Sequence, residues 1–451
     1  MTITLRPYQQ DLVDAIRLQY QYGRRSVLAV LSTGGGKTRA FSHIAEAASR
    51  KGNRVLILVH RAELLDQASR SLPFHHGLIA AGRAMDLSHA VQVASVQTVA
   101  RRLHLLPRDY FQLIVVDEAH HTSAGTWAKV LAHFSSARLL GVTATPIRSD
   151  GRGLGEHYQT MVQGPSAQWL TDNGYLARAR VLAPPGFSAD GLRKRMGDFD
   201  PKAAEDRVRS IHGDCVSHYR QHLHGQTAIA FCCSIAHAEA VAAVFNANGI
   251  AAASIDGSMR RERGRIEDLV NQLAIGRIKI LTSCELISEG FDAPSVGGCL
   301  LLRPTASVGL HLQMIGRCLR PSGDKVAVVL DHVGNCLRLG HHLEERDWSL
   351  DGTPKRDREK APSVKVCPVC FAANPAGASY CIECRHQFRA EVRELEQVDG
   401  ELVELAARQR KREQGGAQSL DDLRQLAQQR GYKRGWAERV YEARLARRHG
   451  I

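Results

Sequence analysis

The chain has 451 residues, two to three times a common single-domain length of roughly 150, so at least two hydrophobic cores are expected. Apolar residues make up 44% and charged residues 24%, which excludes disordered and fibrous classes and leaves a folded, multidomain protein. The formal charge of +14 favours an acidic partner, either nucleic acid or a membrane surface. No window approaches the roughly 18 apolar residues that a spanning helix needs, which excludes an integral membrane protein. The opening Met1-Thr-Ile-Thr-Leu-Arg-Pro-Tyr-Gln-Gln10 lacks a basic leader with an apolar stretch, so a cytoplasmic location is expected.

Short apolar runs at Ser26–Leu31, Val55–Val59, Val91–Ala94, Leu113–Val116 and Leu139–Val142 alternate with longer helix-like stretches. That alternation predicts a parallel sheet covered on both faces. The pattern recurs at Thr227–Phe231, Ala251–Ile255, Ile278–Thr282, Gly298–Leu302 and Val326–Leu330, with Gly164–Pro185 as the crossing segment. The fold class read from this is α/β, with two such domains at 1–165 and 166–345. A charged, Pro-containing linker follows at 346–362, then a small unit at 363–390 holding two CxxC pairs. Residues 391–451 are expected to form a helical basic tail, broken at Gly415-Gly416 before the amphipathic stretch Leu420–Gln429.

Ser32-Thr-Gly-Gly-Gly-Lys-Thr38 stands between an apolar strand and a helix-like segment, Arg39–Ala48. There, backbone N–H groups and a helix N-terminus cradle phosphates, so Thr33, Gly34, Gly35, Gly36, Lys37 and Thr38 are the candidate ATP-binding residues. Lys37 is expected to reach the β and γ phosphates and Thr38 to hold magnesium. The strict pattern has Gly where this chain has Leu31. Downstream, the apolar run from Leu113 ends in Asp117-Glu118, carboxylates at a buried strand tip aimed at the same crevice. Asp117 suits a magnesium site, and Glu118 suits orientation or deprotonation of the attacking water.

With Asp117-Glu-Ala-His120 read as a DEAH box, the chain resembles superfamily 2 helicases and translocases over roughly residues 3–335. The resemblance implies two tandem RecA-like P-loop domains. It makes Leu5-Arg-Pro-Tyr-Gln-Gln10 the adenine-reading segment, with Arg6 and Gln9 as contacts, and Thr143-Ala-Thr145 the motif that couples ATP state to the nucleic-acid site, together with His120. Ile287-Ser-Glu-Gly-Phe-Asp292 matches the segment facing the nucleotide, through Gly290 and Asp292. Gln313-Met-Ile-Gly-Arg317-Cys-Leu-Arg320 matches the QxxGRxxR motif, which makes Gln313, Arg317 and Arg320 catalytic candidates. The two arginines, three apart, are expected on one helix face pointing into the cleft, where guanidinium groups stabilise charge on the transferred phosphoryl. Nucleic-acid contacts are implied at Arg61, Ser95, Thr98, Gly257, Ser258 and Thr282. Read from the residues alone, such a Ser or Thr at a strand end serves equally as a helix cap.

Cys367-Pro-Val-Cys370 and Cys381-Ile-Glu-Cys384 are two knuckles ten residues apart, a set that satisfies tetrahedral zinc in a closed structural site. Iron–sulfur ligation and a redox dithiol are the alternatives. Phe371 and Arg385 stand where glycines often follow such knuckles. In the tail, Tyr432 and Trp436 with Arg439, Arg444, Arg447 and Arg448 suit either simple docking of the helix, the favoured reading, or phosphate binding. Gly151, Gly153 and Gly155 alternate without a preceding nucleotide-binding strand and are read as a loop. The lobes followed by a four-cysteine ribbon resemble bacterial DNA-repair helicases of the RadD type and related phage DEAH-box proteins. The resemblance implies an ATP- and magnesium-dependent helicase with zinc, acting on DNA in preference to RNA. A protein partner through the ribbon or tail is the further possibility, as is an ATP-gated nucleic-acid clamp that does not unwind.

Overall fold

The computed structural model describes residues 3–60, 63–122, 125–148, 151–184, 187–195, 197–208, 212–257, 259, 263–284, 296–352, 363–388, 419–430, 432 and 435–449. Contacts divide the chain into two units, Met1–Arg389 and Ala390–Ile451.

The first unit holds two parallel sheets. Strands β1 (Ser26–Val30), β2 (Val55–Val59), β3 (Gly77–Ile79), β4 (Val91–Ser95), β5 (Leu113–Asp117), β6 (Arg138–Thr143) and β7 (Thr160–Gln163) form the first. Their order is β3-β4-β2-β5-β6-β1-β7. All five residues of β2 are buried, as an unbroken Val/Leu/Ile run requires when helices cover both faces. The edge strands β3 and β7 escape the apolar pattern, because each is short and only partly buried. A hairpin of β9 (Lys194–Arg195) and β10 (Asp198–Phe199) lies in the chain between the first strand of the second sheet and its other five. That sheet runs β12 (Ala252–Ile255), β13 (Ile280–Ser283), β11 (Ala228–Phe231), β14 (Gly298–Leu301), β15 (Val326–Asp331) and β8 (Arg178–Leu182). The crossing segment thus supplies β8, the edge strand of the second sheet, parallel to β15. Both sheets are of RecA-like type, and every ladder in them is parallel.

The stretch expected to be a linker, 346–362, is described as far as Gly352. Its described part returns to the first sheet, where Trp348 and Leu350 pack against the apolar cluster around Trp127, Phe134 and Tyr158. Gly155 N donates to Leu350 O (2.9 Å), and Arg152 and Gly352 form an antiparallel bridge. A Cβ on Gly153 would lie 1.9 Å from Leu350 O, so the alternating glycines are a loop with a steric purpose: they admit a second backbone at close range.

The four cysteines follow on a small hairpin, β16 (Val364–Val366) against β17 (Ala373–Pro375). This ribbon extends the second domain's core: Cys367, Ala372 and Cys381 join the cluster of Leu182, Tyr219, Val328 and Leu330. Ala183 N donates to Phe371 O (2.9 Å), and Arg180 Nε pairs with Glu383 at 2.7 Å. The second unit, taken by itself, contains the helices Leu420–Arg430 and Trp436–His449. Between them Tyr432 and Trp436 lie with ring centroids 4.4 Å apart, and Arg424 bridges to Glu438 at 3.0 Å. Among the described residues no helix is long and apolar enough to cross a membrane.

Candidate active site

The crevice at the carboxyl ends of β1, β5 and β6 gathers the predicted nucleotide residues. Leu31 N is held by Thr143 O (3.0 Å), which carries the chain off β1 beside the tip of β6. Gly34 and Gly36 both have φ of 84°, left-handed backbone that a side chain would strain. Gly36 N-caps the helix Lys37–Arg50 without a side-chain cap bond, so Lys37 and Thr38 stand in the first turn, where backbone N–H groups have no intrahelical acceptor. Space matters here as well as conformation: a Cβ on Gly36 would meet Gln9 Nε2 at 2.3 Å and one on Gly34 would meet Leu176 at 2.7 Å.

Arg6 and Gln9 lie at the start of the helix Pro7–Gln21 and are tied to this loop. Gln9 accepts from Arg6 N (3.0 Å) and donates to Gly35 O (3.1 Å). Sequence reasoning passed over Tyr8, whose buried hydroxyl also donates to Gly35 O at 2.8 Å. It passed over Tyr175 too, whose ring sits 4.8 Å from that of Tyr8 and receives the Arg6 guanidinium at 4.9 Å. Tyr8 lay inside a quoted motif. Tyr175 is 167 positions further on in the chain, and only folding brings it close.

On the opposite wall, Asp117 ends β5 and its carboxylate accepts from Glu118 N (2.9 Å). Glu118 takes φ of 48°, an uncommon conformation for a residue with a Cβ and one that clusters at functional sites. In that posture its carboxylate meets Lys37 Nζ at 3.8 Å on one oxygen and His120 Nδ1 at 3.5 Å on the other. His120 Nδ1 is also 3.1 Å from Thr143 Oγ1, and that hydroxyl donates to Thr145 O (3.0 Å). The DEAH segment and Thr143-Ala-Thr145 are therefore in direct polar contact.

The second domain faces this wall through the helix Val308–Gly316, which carries the buried Gln313. A Cβ on Gly316 would lie 2.3 Å from Thr33, and one on Gly309 would lie 2.8 Å from Thr145 Oγ1. One expectation fails here. Arg317 and Arg320 do not share a helix face, because the helix ends at Gly316. Beyond it the backbone tightens to Cys318 N→Ile315 O and Leu319 N→Gly316 O, and Pro321 disfavours helical backbone at Arg320. Both arginines lie in this turn, half-buried, and burial lowers the pKa of Arg320. A guanidinium stays charged under that shift.

The nucleic-acid candidates are placed unevenly. Ser95 caps the helix Val96–Arg102 by accepting from Thr98 N (3.3 Å), and the two hydroxyls are 2.8 Å apart, so these side chains form a cap. Thr282 is fully buried and its hydroxyl donates to Ala238 O (2.8 Å). Gly257 is half-buried just past β12. Arg61, Ser258, Gly290 and Asp292 lie outside the described residues.

The thiols of Cys367, Cys370, Cys381 and Cys384 all lie within 4.8 Å of one another, with Cys367–Cys384 and Cys370–Cys381 at 3.6 Å. A zinc tetrahedron with Zn–S near 2.3 Å has edges of about 3.8 Å, so the set fits. Burial raises the Cys381 thiol, but the N–H groups of Cys384 and Glu383 aimed at it prevail and hold it at about 7, which favours a thiolate. Buried Asn374 lies 3.7 Å from that sulfur and accepts from Ile382 N (2.8 Å), fixing the second knuckle. Phe371 and Arg385 adopt φ of 59° and 61°: both knuckles take the left-handed turn although neither residue is glycine.

Two RecA-like lobes, a phosphate-cradling loop on one and an arginine-bearing turn against it from the other define a P-loop ATPase of the helicase type. The family model described as type III restriction enzyme, res subunit, matches residues 2–148, and that of the helicase conserved C-terminal domain matches 211–322. The chain is 33% identical to a 51.5 kDa protein of a Lactococcus phage over 82% of each chain. It is 31% identical to the putative ATP-dependent helicase IRC3 of Saccharomyces cerevisiae, over 70% of this chain and 49% of that one. A fragment of a putative HsdR subunit of a type I restriction enzyme from Vibrio vulnificus shares the fold. It has a TM-score of 0.59 and 23% identity, over 77% of this chain and 67% of that one. The chain belongs to the superfamily 2 helicases. It spans most of the phage protein but about half of the yeast protein.

Proposed function

We propose that the protein is a DEAH-box DNA helicase or translocase that couples ATP hydrolysis to movement on, or remodelling of, DNA in repair, recombination or replication. The observation that carries this reading is the meeting of Lys37 and Glu118 at 3.8 Å beside the phosphate loop, with His120 and Thr143 directly behind. In this reading Lys37 and the N–H groups of 34–38 hold the phosphates, and Arg6 and Gln9 contact the base. Glu118 orients the attacking water and accepts its proton. Thr38 and Asp117 hold magnesium, which supplies charge neutralisation when bound. Gln313, Arg317 and Arg320 reach the nucleotide from the second lobe, so hydrolysis is linked to closure and product release to opening. Gly290 and Asp292 complete that face. Nucleic acid runs past Arg61, Ser95, Thr98, Gly257, Ser258 and Thr282, the last through the backbone at its strand end. Cys367, Cys370, Cys381 and Cys384 bind one structural zinc, which fixes a ribbon too small to fold on apolar burial alone.

The charge of +14 supports a polyanionic partner, and the resemblance to DNA-repair helicases favours DNA over RNA. Steady-state ATP hydrolysis, measured alone and with single-stranded, duplex and forked DNA and with single-stranded RNA, tests the proposal against a Lys37→Ala blank. Stimulation by DNA, abolished in the blank, is the expected result. Selective stimulation by RNA moves the assignment to an RNA helicase. Hydrolysis indifferent to every polymer overturns the motor reading and points to a protein ligand instead.

A further inference from the structure

Three histidines from two strand ends form a continuous run of ring contacts, one pair tilted and one stacked, between the nucleotide site and the segment after β2. His120, in contact with Glu118 and Thr143, lies 4.1 Å from the ring of His121. The His121 ring in turn lies on His60, with centroids 4.1 Å apart and an interplanar angle of 11°. His60 is the first residue after β2, and its carbonyl accepts from Gln97 Nε2 at 2.7 Å. Gln97 stands between Ser95 and Thr98 in the helix that follows β4. An unbroken path of contacts thus runs from the water-orienting carboxylate to the tips of β2 and β4.

We propose that His121 is the positioning residue that transmits nucleic-acid engagement to Glu118. The inference rests on the reading of the preceding section, because it needs both a nucleic-acid site past β2 and β4 and hydrolysis at Glu118. Glu118 sits in strained left-handed backbone, and the three residues that follow it form a single tight turn closed by His121 N→Glu118 O at 3.0 Å. A displacement of His60 by bound polymer bears on the aromatic face of His121, on which its ring is stacked. The short turn leaves little slack between that ring and the Glu118 carboxylate.

The test compares full-length wild type with His121→Ala and His121→Phe, measuring basal hydrolysis, maximal hydrolysis with single-stranded DNA, and the DNA concentration at half-stimulation. Expected for His121→Ala is basal hydrolysis within twofold of wild type and a stimulation ratio about fivefold lower, the size of one aromatic pair. His121→Phe, which keeps a flat ring, restores the ratio. In a cycle with His60→Ala, the double variant is no worse in ratio than the worse single one. Undiminished stimulation in His121→Ala overturns the relay and leaves the motor reading intact. Loss of basal and stimulated rates together, or failure of Phe to rescue, overturns it in favour of a structural role. A wild type that no polymer stimulates refutes the motor reading itself, and the relay with it.

Discussion

Gly153→Ala is expected to detach the segment that returns from the second lobe to the first. The new methyl would sit 1.9 Å from Leu350 O and 2.3 Å from Gly352 N. A carbon and a carbonyl oxygen need about 3.3 Å, a shortfall of roughly 1.4 Å that must come from separating two backbones. At that separation the Gly155 N→Leu350 O bond and the Arg152–Gly352 bridge are both lost. Two such bonds contribute roughly 2 kcal/mol, and partial exposure of Trp348 and Leu350 adds about 1 kcal/mol. A local cost of about 3 kcal/mol corresponds to roughly hundredfold faster opening. The assay is amide hydrogen exchange: the peptides spanning 153–155 and 348–352 gain about two decades in rate, while β2 keeps its protection. Gly264→Ala is the control, since Gly264 lies in the helix Arg263–Ala274 with open space at its Cβ position. Protection at 153–155 that changes less than threefold refutes the steric reasoning. Exchange that rises equally everywhere refutes the claim that the effect is local.

Glu118→Gln keeps shape and removes the base, so fluorescent ATP-analogue affinity should stay within a few-fold while phosphate release falls by about 10²–10³; unchanged turnover removes Glu118 from the reaction. Arg385→Gly relieves left-handed backbone worth about 1 kcal/mol and should raise the unfolding temperature at unchanged zinc content, while Arg385→Val lowers it; equal midpoints contradict the strain assigned to that knuckle. Mass spectrometry should find one zinc per chain, absent in Cys367→Ser, and iron in its place overturns the zinc assignment. Burial holds His311 and His341 down to about 4 and His332 to about 3, below the unfolded 6.5. As pH falls from 6.5 towards 4 the unfolded chain binds protons that the folded chain excludes, so stability present above 6.5 is lost through that window. A thermal midpoint that is flat from pH 7 to pH 5 contradicts this.

The two-sheet plan was legible because buried parallel strands are written as uninterrupted apolar runs, and Val55–Val59 or Leu113–Val116 have no other stable use. The phosphate loop, the paired carboxylates and the cysteine knuckles were legible because each is local: a handful of adjacent residues carries the chemistry whatever the rest of the chain does. The cysteine spacing likewise settled which thiols could meet, and the thiols do meet. Edge strands β3, β7 and β8 were not legible, since a partly exposed strand needs no apolar signature and takes its conformation from its neighbour.

Tertiary structure decided what sequence spacing cannot encode. Arg317 and Arg320 carry the spacing of a helix face, yet the chain turns at Gly316, where the helix packs against Thr33 of the other lobe. Ser95 and Thr282 have the residue type of phosphate ligands, but a neighbouring backbone had first claim on their hydroxyls. Gly153 looked like any loop glycine until Leu350, about 200 positions away, came to lie against it. The His60–His121 stack joins two strand ends that are remote in sequence. Local chemistry follows from covalent adjacency and can be read from the chain. The contacts that link one site to another depend on which surfaces folding brings within a few ångströms, and only the folded chain fixes those.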